Sequence, residues 1–263
     1  MAFDFHKDKK RYFDIQYKTS RDFIIPFVEQ KKKIVPGHKV LEIGCGEAGV
    51  LKAFLDRGCE CVGIELSEQR VKTASQFLEK EVNEGGLKLI SRDIYDIDPE
   101  KDISFKFDII ILKDVIEHIY HQDKFIPLLK GFLNPGGQIF FSFPPWYMPF
   151  GGHQQTCNSK ILSKLPYYHL LPMPLYKGFL SLLGESEGII KGLEEVKDTG
   201  ISIERFERIV IQSKFMISER RFYLFNPIYK FKFNLKPRRQ YGLISMTPYI
   251  RNFFTSAMYY LVE

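Results

Sequence analysis

The stretch Lys39-Val-Leu-Glu-Ile-Gly-Cys-Gly-Glu-Ala-Gly49 decides the fold of this chain. Its apolar first half predicts a buried strand, and Gly44, Gly46 and Gly49 complete the pattern Gly-x-Gly-x-x-Gly. Glycines at these positions let the backbone turn tightly after a strand and approach a ligand closely. A helical pattern follows at once. The stretch therefore predicts the first strand, binding loop and helix of a nucleotide-binding α/β fold.

On either side of the loop the alternation of strand and helix continues. Further strands are predicted at 61–64, 87–90, 107–112 and 138–143, and helices at 49–57, 67–81 and 123–133. Strict alternation, with almost continuous Ile and Leu in the fourth strand, is typical of a parallel sheet covered on both faces. We therefore predict a doubly wound, Rossmann-like α/β sheet.

After Phe143 the alternation stops. Residues 144–202 are rich in Pro, Gly and aromatic residues, and short helices are predicted at 175–197 with breaks at Gly184 and Gly188. This part is expected to be a helical insertion over the sheet edge, because its composition does not provide a separate core. A helix at 203–213 and strands at 215–225 and 253–262 complete the pattern.

Composition excludes several classes of protein. The N-terminus is charged and has no apolar run typical of a secretory signal. The longest stretch without charges, 131–159, contains four Pro and five Gly, so no transmembrane segment is predicted. The four cysteines form neither a Cys-x-x-Cys pair nor a disulfide framework. We expect a cytoplasmic globular protein.

The net charge of +6 is unevenly distributed. Residues 1–39, 40–200 and 201–263 carry +5, −6 and +7, and no carboxylate side chain occurs from 220 to 262. An acidic centre therefore lies between two basic flanks. The basic C-terminal part is a candidate surface for nucleic acid or for a membrane.

The acidic residues bear on the choice of ligand. Glu65, at the end of the second strand, is placed to accept hydrogen bonds from ribose hydroxyls, which first indicates a nicotinamide or flavin dinucleotide. Glu42 precedes the glycine loop, and Asp93 and Asp114 follow the third and fourth strands. Such an acidic crevice would repel a pyrophosphate and suits a cationic ligand. S-adenosylmethionine is cationic and has no phosphate.

Four motifs in order resemble the class I S-adenosylmethionine-dependent methyltransferases. They are VLEIGCGEAG (40–49), IELS (64–67), SRDIYD (91–96) and FDIIILKDVIEHI (107–119). In these core motifs the chain is similar to methyltransferases of types 11 and 23 and to the ubiquinone-pathway O-methyltransferases. The resemblance implies a seven-stranded sheet whose last strand is antiparallel. It also implies one methyltransferase domain over 1–263, with an N-terminal helical lid (1–37), a cofactor-binding core (38–143), an acceptor loop and helical insertion (144–202) and a final helix and strands (203–263).

The resemblance also assigns cofactor-binding residues. Gly44 and Gly46 would face the methionine part, Glu65 the ribose, and Asp93 with Ile94 the adenine. Lys113 would border the cofactor, Leu66 is a further cofactor-binding candidate, and Glu42 and Cys45 fit the family pattern. In relatives a leading helix closes over the cofactor, so Tyr17 or Arg21 could meet its carboxylate. A solvated amphipathic helix is the alternative account of Tyr17 and Arg21.

The loop after the fifth strand is where this fold usually places the methyl acceptor. Here Trp146, Tyr147 and Gln154 are candidate acceptor contacts, and His153 follows a Gly-Gly pair that lets it reach into the crevice. His153 is a candidate general base that would titrate near neutral pH. A loop histidine bonded to backbone is the alternative.

A metal site is a further hypothesis. On a helix, Asp114, Glu117 and His118 would share one face, and His153 could supply a fourth ligand. This arrangement resembles the E-x-x-E-H motif of metal-dependent small-RNA 2′-O-methyltransferases and of some ubiquinone-pathway enzymes, with Asp in the first position. The favoured alternative is that Asp114 caps the helix while Glu117 and His118 face the cofactor, so a divalent metal is not expected. Asp114 and His118 are also catalytic candidates.

The leading functional hypothesis is O-methylation of a small-molecule, glycan or lipid-linked acceptor with S-adenosylmethionine as cofactor. The first alternative is nucleic-acid methylation, using the basic and aromatic residues of 220–239 with Lys214. The second is a non-catalytic module that contacts a membrane through 165–183, where Lys177 is the single charged residue. A dehydrogenase is a distant further alternative.

Overall fold

The computed structural model describes residues 8–263, so the first seven residues of the predicted lid lie outside it. Within this range the sheet has eight strands in the order β3-β2-β1-β4-β5-β8-β6-β7. The strands are β1 (Lys39–Ile43), β2 (Glu60–Glu65), β3 (Leu87–Ser91), β4 (Phe107–Lys113), β5 (Leu133–Phe143), β6 (Ile217–Phe225), β7 (Arg238–Arg239) and β8 (Ala257–Val262). The predicted α/β class is confirmed.

The topology creates one crevice. β1 pairs in parallel with both β2 and β4, so the strands before and after this point are added to the sheet on opposite sides of β1. In a doubly wound sheet, ligands bind at the carboxyl ends of the strands at such a point. β8 pairs antiparallel with β5 and β6, which confirms the predicted antiparallel last strand. The predicted count of seven is one short, because Arg238 and Arg239 add a two-residue strand at the edge beside β6.

The helices follow the predicted order with shifted ends. The α-helices of the described chain are α1 (Lys9–Thr19), α2 (Ile25–Val28), α3 (Gly49–Leu55), α4 (Glu68–Phe77), α5 (Glu79–Asn83), α6 (Gln122–Leu128), α7 (Met173–Leu182), α8 (Glu187–Thr199), α9 (Ile203–Gln212), α10 (Tyr229–Phe233), α11 (Gly242–Ser245) and α12 (Ile250–Phe253). A π-helical turn, Ser20–Ile24, joins α1 to α2. Ser67 caps α4 as predicted, since its side chain accepts the amide of Arg70.

The core lies on both faces of the sheet. In β4, Ile110 and Leu112 belong to one apolar cluster, while Ile109 and Ile111 belong to the other. Successive side chains of a strand point to opposite faces, so a strand buried on both faces needs a continuous apolar run. This explains the Ile-rich sequence of β4.

The insertion of 144–202 has a small apolar cluster of its own. Its buried members are Cys157, Leu162, Tyr168, Tyr176, Leu180 and Leu193. The composition predicts that this part has no core of its own. The structure shows a small one, because side chains from α7 and α8 pack around Tyr168. Gly184, at a positive φ of 78°, lies in the break between these helices, whereas Gly188 lies inside α8. In residues 8–263, every helix is too short or too polar to cross a bilayer.

Candidate functional site

The glycine loop has the backbone that its sequence predicts. Gly44 and Gly46 adopt positive φ angles of 71° and 55°. A Cβ atom on Gly44 would lie 2.5 Å from Cγ2 of Val115, and one on Gly49 would lie 2.6 Å from the carbonyl oxygen of Phe13. Neither position has room for a side chain. The loop therefore depends on glycine both for its conformation and for the close approach of its neighbours.

Glu65 is held rigidly at the end of β2. One carboxylate oxygen accepts the amide of Gly46 at 2.9 Å, and the other accepts the amide of Ser67 at 3.0 Å. The side chain is buried. Two backbone donors thus fix the carboxylate beside the glycine loop, where it can accept further hydrogen bonds from a ligand.

Glu42 is the second carboxylate beside the loop. It is buried, and among the described residues its Oε2 has no hydrogen-bond partner. Burial raises its pKa well above the usual range, and Glu65 adds to this, while Lys113 and Arg70 oppose it. A buried carboxyl oxygen without a donor is costly unless a ligand supplies one. Glu42 is therefore a candidate partner for a cationic donor.

These groups surround a cavity of about 150 Å³. Its lining residues are Tyr12, Phe13, Gln16, Glu42, Gly44, Cys45, Glu47, Gly49, Val50, Arg70, Lys113 and Asp114. Glu42, Gly44, Cys45, Lys113 and Asp114 are among the residues that the sequence placed in the site. The Cys45 thiol is buried, and this burial raises its pKa well above the usual value, so it is a neutral contact.

Arg70 lies across this cavity and was not predicted from the sequence. Its guanidinium donates to Glu47 at 3.0 and 3.2 Å and lies 3.5 Å from Glu65. A Cβ atom on Gly46 would collide with Nη2 of Arg70. The cavity is smaller than the roughly 300–1,000 Å³ of most ligand pockets. Movement of the flexible Arg70 side chain would enlarge it.

The N-terminal helix α1 lines one side of the cavity, but not through the predicted residues Tyr17 and Arg21. Tyr12, Phe13 and Gln16 line it. Tyr17 lies next to Asp56, whose hydrogen bond raises the tyrosine pKa, and Arg21 is exposed and pairs with Asp22 at 2.8 Å. The structure does not bring Tyr17 and Arg21 together with the cavity-lining residues.

Lys113 and Asp114 form an ion pair at the end of β4. Burial lowers the pKa of Lys113, but Asp114 and the neighbouring Tyr12 more than offset this, so its pKa is raised. Burial likewise opposes ionisation of Asp114, and Lys113 outweighs it to lower the carboxyl pKa. The two residues therefore carry opposite charges at the strand tip.

The predicted adenine and ribose contacts lie at the tips of β2 and β3. Leu66 is 71% exposed, Ile94 is buried, and Asp93 is half-buried and accepts the amide of Tyr95 at 3.0 Å. β2 and β3 run parallel with Glu65 opposite Ser91, so Leu66 and Asp93 lie at the same sheet edge. They are not among the residues that line the cavity.

The segment after β4 differs from the predicted helix. Asp114 adopts a left-handed conformation with φ 55°, and only Ile116–His118 form a turn of 3₁₀-helix. The prediction that Asp114, Glu117 and His118 share one face of an α-helix is therefore wrong, as is the helix cap at Asp114. The positive φ, beside the Lys113 ion pair, turns the chain sharply at the strand end.

Three of the four predicted metal ligands nevertheless come together. One potential ligand atom each from Glu117, His118 and His153 lies within 4.8 Å of the others, and Asp114 is outside this group. The rings of His118 and His153 have centroids 4.9 Å apart. Both carboxylate oxygens of the buried Glu117 lack a hydrogen-bond partner among the described residues. A cation would satisfy them, so this trio fits a metal ion.

Glu117 is buried, His153 is half-buried and the His118 residue is exposed, yet desolvation shifts the pKa of all three. Desolvation lowers the pKa of His153 to about 4, with His118 adding to the effect, and it also lowers the pKa of His118. Desolvation and the Asp114 charge raise the pKa of Glu117 well above its usual range. The sequence predicts that His153 titrates near neutral pH. In the structure its pKa is lowered to about 4, so the imidazole is neutral at pH 7. A neutral imidazole can accept a proton or bind a metal.

The insertion positions this trio. Thr199, at the end of α8, donates from its hydroxyl to the carbonyl oxygen of Glu117 at 2.6 Å. Gln122 donates to the carbonyl oxygens of Ile116 at 3.2 Å and Thr199 at 2.5 Å. The short turn that carries Glu117 and His118 is thus tied to the insertion. Local sequence carries no signal for this link because it joins segments about 80 residues apart.

The predicted acceptor contacts have different surroundings. Tyr147 is 41% exposed and packs against Phe253 with ring centroids 5.6 Å apart. Trp146 is half-buried against His169. Gln154 is fully buried, and its amide nitrogen lies 3.1 Å from the Pro149 oxygen and 2.7 Å from His169 Nδ1. Tyr147 is therefore accessible to a ligand, whereas Gln154 holds the loop together.

A family model described as "Methyltransferase domain" matches residues 14–164. This is more than half of the chain, and it includes the glycine loop, Glu65 and the trio. The chain belongs to this methyltransferase family. The predicted resemblance to class I methyltransferases is confirmed.

Curated relatives support the same family. A ubiquinone biosynthesis O-methyltransferase from Idiomarina loihiensis is 28% identical over 117 residues, which cover 44% of this chain and 46% of that protein. The enzyme of the same name from Stutzerimonas stutzeri is 30% identical over 106 residues, covering 40% and 44%. The chain spans less than half the length of these relatives.

Solved methyltransferases share the fold. The plantazolicin methyltransferase BpumL in complex with SAH aligns with a TM-score of 0.52 and 13% identity, covering 97% of this chain and 84% of that one. Magnesium protoporphyrin IX methyltransferase from Synechocystis with bound SAH aligns with a TM-score of 0.54 and 14% identity, covering 94% and 83%. At these identities the likeness shows the fold alone.

Proposed function

We propose that this chain is an S-adenosylmethionine-dependent methyltransferase that methylates a hydroxyl of a small-molecule, glycan or lipid-linked acceptor. The observation that carries the proposal is the pair of carboxyls at the glycine loop. Glu65 is fixed by two backbone amides, and the buried Glu42 has an oxygen without a donor in the described chain. Glu65 suits ribose hydroxyls, and Glu42 suits an ammonium group.

The same carboxyls argue against a dinucleotide. Glu42, Glu47 and Asp114 line the cavity together with the glycines. Arg70 and Lys113 also line it and pair with Glu47 and Asp114, so these two carboxylates are offset by cations. A pyrophosphate has only hydrogen-bond acceptors and would leave the buried Glu42 oxygen without a donor. The ammonium group of S-adenosylmethionine would supply that donor.

When bound, the cofactor supplies a methyl group on a positively charged sulfur. The chain then has to hold the acceptor in line and exclude water, and such positioning can contribute roughly 7 to 11 kcal/mol. A hydroxyl acceptor must also lose its proton. In the metal-free protein, His118 and His153 are neutral imidazoles at the loop after β5, and either can take that proton. When both ligate a cation, the cation would lower the pKa of the hydroxyl instead.

We also infer that Glu117, His118 and His153 hold a divalent cation. The support is the convergence of three ligand atoms and the two carboxylate oxygens of Glu117 without a partner in the described chain. Bound there, a cation would lower the pKa of an acceptor hydroxyl, which is the help an O-methyltransferase needs. The sequence alone does not lead us to expect a divalent metal here.

Transfer of a labelled methyl group tests the activity. The purified protein is incubated with S-adenosylmethionine labelled in its methyl group and with panels of phenols, sugar nucleotides, polyprenyl-linked sugars and RNA. We expect label in a hydroxyl-bearing acceptor and not in RNA. Label in RNA would favour the nucleic-acid alternative, and absence of transfer with intact cofactor binding would favour the non-catalytic one.

A further inference from the structure

The segment 241–254 exposes several large apolar side chains to solvent and buries polar ones. It contains the short helices α11 and α12. Its apolar side chains point to solvent: Leu243 is 86% exposed, Met246 79% and Tyr249 72%. Tyr241, Ile250 and Phe254 are also exposed. Single exposed apolar residues are common, but so many in one short segment indicate a surface that contacts an apolar partner.

Polar residues of the same segment face inward and fix it. The buried Arg251 binds Glu204 at 2.9 Å and Glu207 at 2.8 Å. Asn252 is buried and donates to Glu204 at 2.7 Å. The exposed leucine and methionine therefore belong to a segment anchored by buried ionic and amide contacts. Their exposure is a consequence of the fold.

The surroundings of the segment are positively charged. Lys236, Arg238 and Arg239 precede it and lie at or near the surface, and no acidic side chain occurs between 220 and 262. Beside it lies a cavity of about 590 Å³ lined by Arg220, Arg239 and Met246, among others. Glu207 and Glu219 also line this cavity, and Glu207 is engaged by Arg220 and Arg251.

We propose that 241–254, with Lys236, Arg238 and Arg239, docks on the surface of an anionic phospholipid bilayer. Exposed apolar side chains beside exposed Lys and Arg residues are what interfacial binding requires: the apolar groups enter the acyl boundary and the cations meet lipid phosphates. A nucleic acid would bind the cations but would leave the apolar side chains of Leu243 and Met246 exposed to water. We refer to this set of residues as the docking surface.

The docking surface adjoins the acceptor loop. Phe253 packs against Tyr147, and the Tyr167 hydroxyl donates to the Phe253 carbonyl oxygen at 3.4 Å. A bilayer in contact with 241–254 would therefore lie near the loop that follows β5. The proposal stands on these contacts and does not depend on methyl transfer, although it agrees with a lipid-linked acceptor.

Vesicle cosedimentation tests the proposal. The full chain is mixed with vesicles of phosphatidylcholine alone or of phosphatidylcholine with phosphatidylglycerol. We expect binding to the anionic vesicles that weakens as salt is added. The double variant Leu243→Ser/Met246→Ser should bind roughly tenfold or more weakly. The matched control Ile211→Ser, at a 65% exposed position on α9, should bind like the wild type. Circular dichroism verifies that each variant is folded.

Two further variants separate the docking surface from the apolar stretch of 165–183 and from general charge attraction. Replacing Lys236, Arg238 and Arg239 by Gln should weaken binding to anionic vesicles and flatten its salt dependence. Leu182→Ser, in that apolar stretch, should have no effect. The proposal is overturned if the wild type ignores anionic vesicles at low salt, or if Leu182→Ser weakens binding while Leu243→Ser/Met246→Ser does not. It is also overturned if sedimentation velocity without lipid shows a dimer that the double variant abolishes.

Discussion

The rings of His118 and His153 lie 4.9 Å apart, although the residues come from different segments of the chain. His118 follows β4, and His153 lies in the loop after β5. Neighbouring parallel strands bring these two segments to the same edge of the sheet. Glu117 completes a group that fits a cation, next to the crevice that we assign to the cofactor.

Removal of a histidine from this group should separate metal binding from cofactor binding. We expect His153→Ala to lower the affinity for Mn²⁺ by roughly tenfold or more, because one of three ligands is lost. Affinity for S-adenosylhomocysteine should change little. Isothermal titration of each ligand measures both. His121→Ala, at an exposed position outside the group, is the control, and equal Mn²⁺ affinity in both variants would exclude the trio as a metal site.

Gly44 should be sensitive to a side chain for two reasons. Gly44→Ala places a Cβ 2.5 Å from Val115 and forces alanine into a positive φ, so we expect lower stability and weaker cofactor binding. Gly136 is the matched control, since its φ is 70° and a Cβ added there would meet no heavy atom within 4 Å. Gly136→Ala should cost about 1 to 2 kcal/mol through backbone strain alone. Chemical denaturation and titration of both variants measure this, and equal losses would contradict the crowding at Val115.

Arg70 should compete with the cofactor for Glu65. Its guanidinium lies 3.5 Å from the carboxylate and lines the cavity. We therefore expect Arg70→Ala to increase affinity for S-adenosylhomocysteine by about threefold or more, in line with a partly exposed ion pair. Arg57→Ala, which removes an exposed pair with Glu29, is the control. A tenfold loss of affinity would show instead that Arg70 is itself a cofactor contact.

His169 should make stability depend on pH. It is fully buried, and desolvation lowers its pKa from 6.5 to about 4. Between these values the unfolded chain takes up a proton that the folded chain does not. Stability should therefore fall as pH drops from about 6.5 to 4, by roughly 1 to 3 kcal/mol. Urea denaturation at several pH values measures this, and His169→Gln should reduce the slope. An unchanged slope, with His121→Gln as control, would exclude this role.

The sequence was sufficient for features that depend on neighbours along the chain. The glycine loop, Glu65 and the alternation from β1 to β5 all follow from local patterns. The sequence does not predict which side of α1 faces the cavity. Tyr12 and Tyr17 both fit an amphipathic helix, and only tertiary packing determines that Tyr12 lines the cavity. The sequence places Asp114 in the site but does not predict its left-handed backbone, because such a turn after a strand has no distinct signal when the residue is not glycine.

Arg70 and the Thr199–Glu117 hydrogen bond were missed for a related reason. Both depend on contacts between segments that the sequence does not place relative to each other. The two-residue strand of Arg238 and Arg239 is too short to leave a periodic pattern. The sequence predicts which polar residues lie at the strand tips. It does not predict the contacts of the segments that pack over those tips.

We expect S-adenosylmethionine to bind in the crevice at Glu65 and Glu42. Isothermal titration of S-adenosylhomocysteine into the wild type and into Glu65→Ala tests it most directly. We predict saturable binding of one equivalent to the wild type, a loss of roughly tenfold or more in the variant, and no binding of NADH. Binding of NADH in place of S-adenosylhomocysteine, or equal affinities in wild type and variant, would contradict the claim.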